Sequence, residues 1–194
     1  MDAMPFETAT VVPYPADLRL DGVRLRPYRD SDATSLHVAV RESLATVGHW
    51  QPWCNEGFNL SSAEAWIAYC KRSWLLGDHF EFAVVDDATD EYLGGTGINQ
   101  RNREHRFANL GYWVRQSRQG YGIATKSGRL AARFGFANAD LSRIEVVVAE
   151  GNLASRRTAE KIGAQLESIA RNRLVLHGVP VNAAMYSIVP DDAL

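Results

Sequence analysis

The segment Leu110-Gly111-Tyr112-Trp113-Val114-Arg115-Gln116-Ser117-Arg118-Gln119-Gly120-Tyr121-Gly122-Ile123-Ala124-Thr125 constrains this chain more than any other. An alternating apolar stretch from Phe107 to Val114 runs into a loop with two glycines, and the loop opens directly into helical spacing. Leu130, Ala131 and Phe134 then recur on one face of a helix spanning about Tyr121 to Asn138. A β-branched strand follows at Arg143 to Ala149. A strand–helix–strand crossover of this kind belongs to a layered α/β sheet. The loop also has a chemistry of its own. The first N–H groups of a helix have no intrahelical acceptor and carry the positive end of its dipole, so they suit a pyrophosphate. Gly120 and Gly122 lack side chains that would keep phosphates away. No Gly-Lys-Ser/Thr ending and no dinucleotide fingerprint is present, and a two-glycine turn taken alone is better read as a plain helix start.

The rest of the pattern is built around that unit. Residues up to about Asp21 are interrupted by Pro5, Pro13 and Pro15 and read as an irregular arm. Val23 to Arg26 alternates like a half-buried strand, and Arg29-Asp30-Ser31-Asp32 precedes a short helix near Ala33 to Leu44. Gly48 to Trp53 breaks periodicity. Ser61 with Glu64 has capping-box spacing, before a helix that places Trp66, Ile67, Cys70 and Trp74 on one face and ends near Gly77. Phe80 to Val85, Tyr92 to Ile98 and Phe107 to Val114 read as an antiparallel meander. Asn152 to Ile162 reads as a short helix closed by Gly163. Strands near Gln165 to Leu176 and Val181 to Val189 bracket a turn at His177-Gly178.

A chain of 194 residues, 46% hydrophobic and 23% charged, is long enough for one domain with a substantial core. A net charge of -2 gives no general attraction to nucleic acid or acidic membranes. Arg101, Arg103 and Arg106 form a local basic cluster, read as a solvated loop between strands. Cys54 and Cys70 are too few for a disulfide scaffold and have no metal-ligand spacing, so no metal is expected. The N-terminus has no signal-peptide pattern and no apolar run approaches membrane-spanning length. A cytoplasmic protein without membrane or nucleic-acid partners is the expectation.

Gln119-Gly120-Tyr121-Gly122-Ile123-Ala124 resembles the pyrophosphate-binding signature of the GNAT acetyltransferases, Gln/Arg-x-x-Gly-x-Gly/Ala. Gly111-Tyr112-Trp113-Val114 is similar to the preceding strand in the branch that acetylates ribosomal-protein N-termini. Glu150-Gly151-Asn152-Leu153-Ala154-Ser155 with Glu160-Lys161-Ile162-Gly163 resembles that branch's second signature. The resemblance implies one GNAT-like domain over residues 22–194 after an arm at 1–21, with a mixed, mostly antiparallel, splayed sheet flanked by helices. It implies acetyl-CoA, or another acyl-CoA, as donor, with its pantetheine in the V between the splayed strands. Val114 would pair with the pantetheine by its backbone. Gln119, Gly120, Tyr121, Gly122, Ile123, Ala124 and Thr125 would hold the pyrophosphate. Asn152 would bond the pantetheine arm, and Ser155 would also bind the cofactor and protonate the departing thiolate. Read without the family, Asn152 is also a good N-cap and Ser155 a plain first-turn serine.

Three departures concern the carboxylates and so the base, one being Asn182, which stands where an Asp is common. Asn109 stands where the branch often has Glu, and Leu174 or a neighbour stands where a related type places another. Strand alternation makes Glu81 the best remaining candidate, with His49 behind it. At pH 7.5 roughly a third of an α-amine is neutral, against about 0.1% of a lysine amine. The favoured acceptor is therefore the α-amine of a protein or peptide N-terminus. Small-molecule amines, a succinyl-type acyl group, and a non-catalytic acyl-CoA-binding module are the alternatives. A homodimer is compatible with these readings.

Overall fold

The computed structural model describes residues 12–15 and 18–191. Eight strands form one sheet in the order β1-β2-β3-β4-β5-β6-β8-β7. In chain order the elements are β1 (Leu18–Leu20), β2 (Val23–Pro27), α1 (Ala33–Glu42), α2 (Val47–Trp50), α3 (Leu60–Leu76), β3 (Phe80–Asp86), β4 (Tyr92–Asn102), β5 (Phe107–Val114), α4 (Ile123–Asn138), β6 (Arg143–Ala149), α5 (Leu153–Ile162), β7 (Gln165–Leu176) and β8 (Val179–Ile188). All neighbouring strands are antiparallel except β5 and β6, which the α4 crossover makes parallel.

Strand alternation divides two cores between the two faces of the sheet. Phe80, Phe82 and Val84 point to the side of α4, where Leu130, Ala131 and Phe134 meet them. Ala83 and Val85 point to the side of α1 and α3, against Leu36, Val40, Ile67 and Cys70. Phe80, Phe82 and Phe134 all meet Trp74, with ring centroids 5.1–5.4 Å apart. The apolar stripe expected on α3 is thus shared, because Trp74 at the end of the helix joins the core on the α4 side.

Several boundaries differ from the sequence reading. Within the segment read as an arm, Leu18–Leu20 pairs with β2 through a turn at Asp21-Gly22 with φ of +45° and +81°, a two-residue hairpin geometry that suits Asp-Gly. The rest of that segment lies outside the described residues, apart from Val12 to Pro15, where Tyr14 stacks on Trp74 at 4.2 Å. The cap of α3 is Asn59, whose side chain accepts from Ser62 N at 3.0 Å, while Ser62 Oγ accepts from Asn59 N. The Ser61/Glu64 pairing is not used, since Asn59 closes the helix first. Gly77 ends α3 as expected, at φ +66°. Helix α4 begins at Ile123 rather than Tyr121 because Gly120 and Gly122 both have positive φ. A four-residue α2 occupies part of the stretch read as aperiodic.

Candidate active site

Strand β5 pairs with β6 only through Phe107, Ala108 and Asn109, opposite Arg143, Ile144 and Glu145. Beyond these residues β5 continues to Val114 and β6 to Ala149 without pairing to each other, so the sheet splays. A cleft of about 780 Å³ opens there. Its walls are Leu110 to Trp113 on one side and Val146 to Ala149 on the other. Asn152 and Ser155 reach it from α5, Glu81 and Asn99 from β3 and β4, and Trp50, Trp53, Phe58, Trp66 and Tyr69 from the α2–α3 region. Helix α5 packs with the α4 core, whereas Glu81 shares its face with Ala83 and Val85. The cleft therefore joins the two faces of the sheet through the gap.

Glu81 lies across β4 and is buried, at 9% exposure. Gly97 pairs with it, and a Cβ there would fall 2.0 Å from Glu81 Oε2, so only glycine leaves room for the carboxylate. Asn99 Nδ2 donates to Glu81 Oε1 at 3.0 Å, and Asn109 Nδ2 donates to Asn99 Oδ1 at 2.9 Å. Burial pushes the carboxyl pKa up and the Asn99 bond offsets part of that rise. Asn109, where the family's branch often has Glu, is thus a support two bonds from the carboxylate present here. His49 is exposed, packs edge-on against the Trp50 ring, and does not line the cleft.

Gly120 and Gly122 have φ of +86° and +74°, and a Cβ on either would meet nothing within 4 Å. Glycine is required there by backbone conformation, and the space beside both residues is open. No side chain caps α4, which leaves the N–H groups of Ile123, Ala124 and Thr125 for another acceptor. The Gln119 side chain donates instead to Val114 O at 3.0 Å and Thr46 Oγ1 at 3.2 Å. Val114 is buried and is not among the residues lining the cleft, and Tyr121 is 71% exposed. The loop is braced by the end of α1. Glu42 takes two bonds from Arg115, at 2.9 and 2.7 Å, and one each from Ser117 N and Oγ. These bonds, Arg115 first, hold the Glu42 carboxyl down to about 2.

Asn152 does cap α5, its Oδ1 accepting from Ser155 N at 3.1 Å, which leaves its Nδ2 for a ligand. Ser155 Oγ lies 3.2 Å from Tyr112 Oη. Glu81, Asn152 and Ser155, each named from the sequence, line one cleft in the structure. The sequence reading did not include the partners Asn99, Tyr112 and Glu42, since cross-strand register and helix–loop contacts are not written in a local pattern.

A family model described as the acetyltransferase (GNAT) domain matches residues 23–165. The chain belongs to the GNAT acetyltransferase family. Bacillus subtilis YdaF, whose name provisionally assigns it to ribosomal N-acetylation, is 25% identical over 171 residues, 86% of this chain and 91% of its own length. The solved structure of Mycobacterium smegmatis RimJ in complex with CoA-disulfide aligns at 25% identity with a TM-score of 0.79, covering 87% of this chain and 82% of that one. The microcin C7 self-immunity acetyltransferase MccE, in complex with acetyl-CoA and AMP, shares the fold at a TM-score of 0.81 and 20% identity, over 88% and 93% of the two chains. The splayed, mostly antiparallel sheet of this GNAT domain is the fold its sequence led us to expect.

Elsewhere on this GNAT domain, Arg103 and Arg106 of the basic cluster are exposed in the loop between β4 and β5, as expected, whereas Arg101 is not in that loop. Arg101 lies within β4, donates to Gly77 O at 2.9 Å and also to Ala139 O. Arg103 donates to Leu76 O at 2.8 Å, and Arg106 pairs with Asp140 at 2.8 Å. Arg101 and Arg103 thus hold the carbonyl end of α3, and Arg101 the residue after α4. Cys54 and Cys70 are free and buried. Among the described residues no helix is long and apolar enough to cross a membrane.

Proposed function

We propose that this chain transfers an acetyl group from acetyl-CoA to a primary amine, and that its preferred acceptor is the α-amine of a protein or peptide N-terminus. The observation that carries this reading is the single cleft joining Ser155 and Asn152 on one face of the sheet to Glu81 on the other. A thioester lying in the gap can meet an amine arriving from the opposite face. Pantetheine would add as an extra strand to the edge of β5 that β6 leaves free beyond Asn109, with Asn152 Nδ2 at its arm. The pyrophosphate would sit on the free N–H groups from Gly120 to Thr125.

The chemistry follows from what each group can do. The neutral amine attacks the thioester carbonyl, which backbone N–H groups polarise. Glu81 receives the amine's proton, directly or through water, and its raised pKa makes it a better base than an ordinary carboxylate. Ser155 protonates the CoA thiolate as the C–S bond breaks. The aromatic lining from Trp50, Trp53, Phe58 and Trp66 excludes water from the amine's approach and offers ring faces to its carrier.

Two peptides of one sequence test the acceptor, one with only its α-amine free and the other with only a lysine amine free. With acetyl-CoA at pH 7.5, kcat/KM for the α-amine should be higher by up to a few hundredfold, the ratio of neutral fractions. A lysine peptide acetylated as fast as the α-amine peptide would overturn the acceptor assignment.

A further inference from the structure

Tyr112 projects from β5 to the first turn of α5. Its hydroxyl donates to Ser155 O at 3.0 Å and stands 3.2 Å from Ser155 Oγ. The residue lines the cleft together with Ser155. A phenol has one proton, and both of its neighbours here are oxygens of the same serine, so a small rotation carries that proton from the carbonyl to the hydroxyl oxygen. From this geometry we propose that Tyr112 is the proton reserve behind Ser155, a positioning residue that lets the serine release its own proton to sulfur.

The proposal rests on the reading of Ser155 as the acid. A serine that protonates a thiolate unaided is left as an alkoxide, a far stronger base than a thiolate whose thiol has a pKa of about 8.5. With Tyr112 in place the charge ends on a phenolate instead. Burial raises this phenol to about 12, well below an aliphatic alcohol. As the C–S bond breaks, its electron pair goes to sulfur, Ser155 Oγ–H gives its proton to sulfur, and Tyr112 Oη–H gives its proton to Ser155 Oγ. The proton that Glu81 takes from the attacking nitrogen passes on to Tyr112 through water, so the products are an amide and a free thiol, with all three side chains restored.

Four variants test this with acetyl-CoA and an α-amine peptide: Tyr112→Phe, Ser155→Ala, the double variant, and Tyr112 replaced by 3-fluorotyrosine. Tyr112→Phe should lower kcat by at least about tenfold, the low end of general-acid effects, with KM for acetyl-CoA nearly unchanged. The double variant should be no slower than Ser155→Ala, since the two residues act as a unit. The fluorinated phenol is more acidic and should raise kcat, a response that a tether between β5 and α5 would not give. Wild-type kcat in Tyr112→Phe beside a slow Ser155→Ala would overturn the reserve and leave Ser155 as the acid. Losses that multiply in the double variant would overturn it too, as independent action. Full activity in Ser155→Ala would remove the acid reading and this proposal with it. If Tyr112→Phe fails to fold, the fluorotyrosine protein decides: unchanged or lower kcat overturns the proposal.

Discussion

Glu81 shows how far a single side chain depends on its surroundings. Its pKa is raised, so the folded state favours the protonated carboxyl. The stability this gives is complete below the unfolded value of about 4.3 and is lost as pH rises through the folded value. Glu81→Gln has no such loss, so its melting temperature should exceed that of the wild type by a margin that widens from pH 4 to pH 8. Thermal melts across that range check the sign. The wild-type kcat/KM should fall below the Glu81 pKa, at one pH common to different amines, as well as below each amine's own pKa, and the same variant should remove only the common turn. Gly122 supplies a second test. A Cβ there meets no atom within 4 Å, but a valine must adopt φ near +74°, which costs about 1–2 kcal/mol. Its side chain would also occupy the open space beside the α4 N-terminus. Gly122→Val should therefore lower the melting temperature modestly and weaken acetyl-CoA binding at least tenfold, about 1.4 kcal/mol. Calorimetry on the folded variant gives the affinity.

Elements meet where α1 braces the loop before α4. Glu42, Arg115 and Ser117 make that contact, with Ser43 Oγ taking Gln116 N at 2.9 Å. Glu42→Gln should loosen the loop and raise KM for acetyl-CoA while leaving kcat nearly unchanged. Steady-state kinetics at fixed peptide separate the two. The depressed pKa of Glu42, about 2, also gives a linkage prediction. Its contribution is present above the unfolded value of about 4.3 and is lost as pH falls toward about 2, so the stability gap between wild type and Glu42→Gln should close over that window. None of this was visible in the sequence, because Glu42 lies more than seventy positions from its partners. The start of α4 was misplaced for a related reason. Helical periodicity marks apolar spacing, whereas the positive φ of Gly120 and Gly122 decides where the first turn closes. Asn59 displaced Ser61 as the α3 cap because two nearby cap residues compete and only the chain path selects between them.

At the scale of the whole molecule, the sheet was largely legible. Period changes marked seven of its strands, the crossover through α4 implied the parallel β5–β6 pair, and the glycine-bearing loop located the helix that faces the expected ligand. The splay itself came only from family resemblance, since nothing local in Phe107 to Val114 states that pairing stops after Asn109. Glu81 was legible by alternation. Its support from Asn99 and Asn109 required the register of β3, β4 and β5, which a one-dimensional pattern does not contain. The same register makes Gly97→Ala a test of the whole arrangement. The added methyl would stand 2.0 Å from Glu81 Oε2 and 2.9 Å from Phe80 O, so it should cost about 1–3 kcal/mol of stability, measured by denaturant unfolding. The central claim is that one cleft unites a thioester on one face of the sheet with an amine on the other. Its most direct test follows CoA thiol release and product mass together, for the purified protein with several acyl-CoAs and a panel of α-amine peptides and small amines. The account predicts thiol released in step with one acetyl group gained on an α-amine, from acetyl-CoA above longer donors, and slowed in Ser155→Ala. Tight CoA binding with neither thiol release nor mass gain across the panel would contradict it.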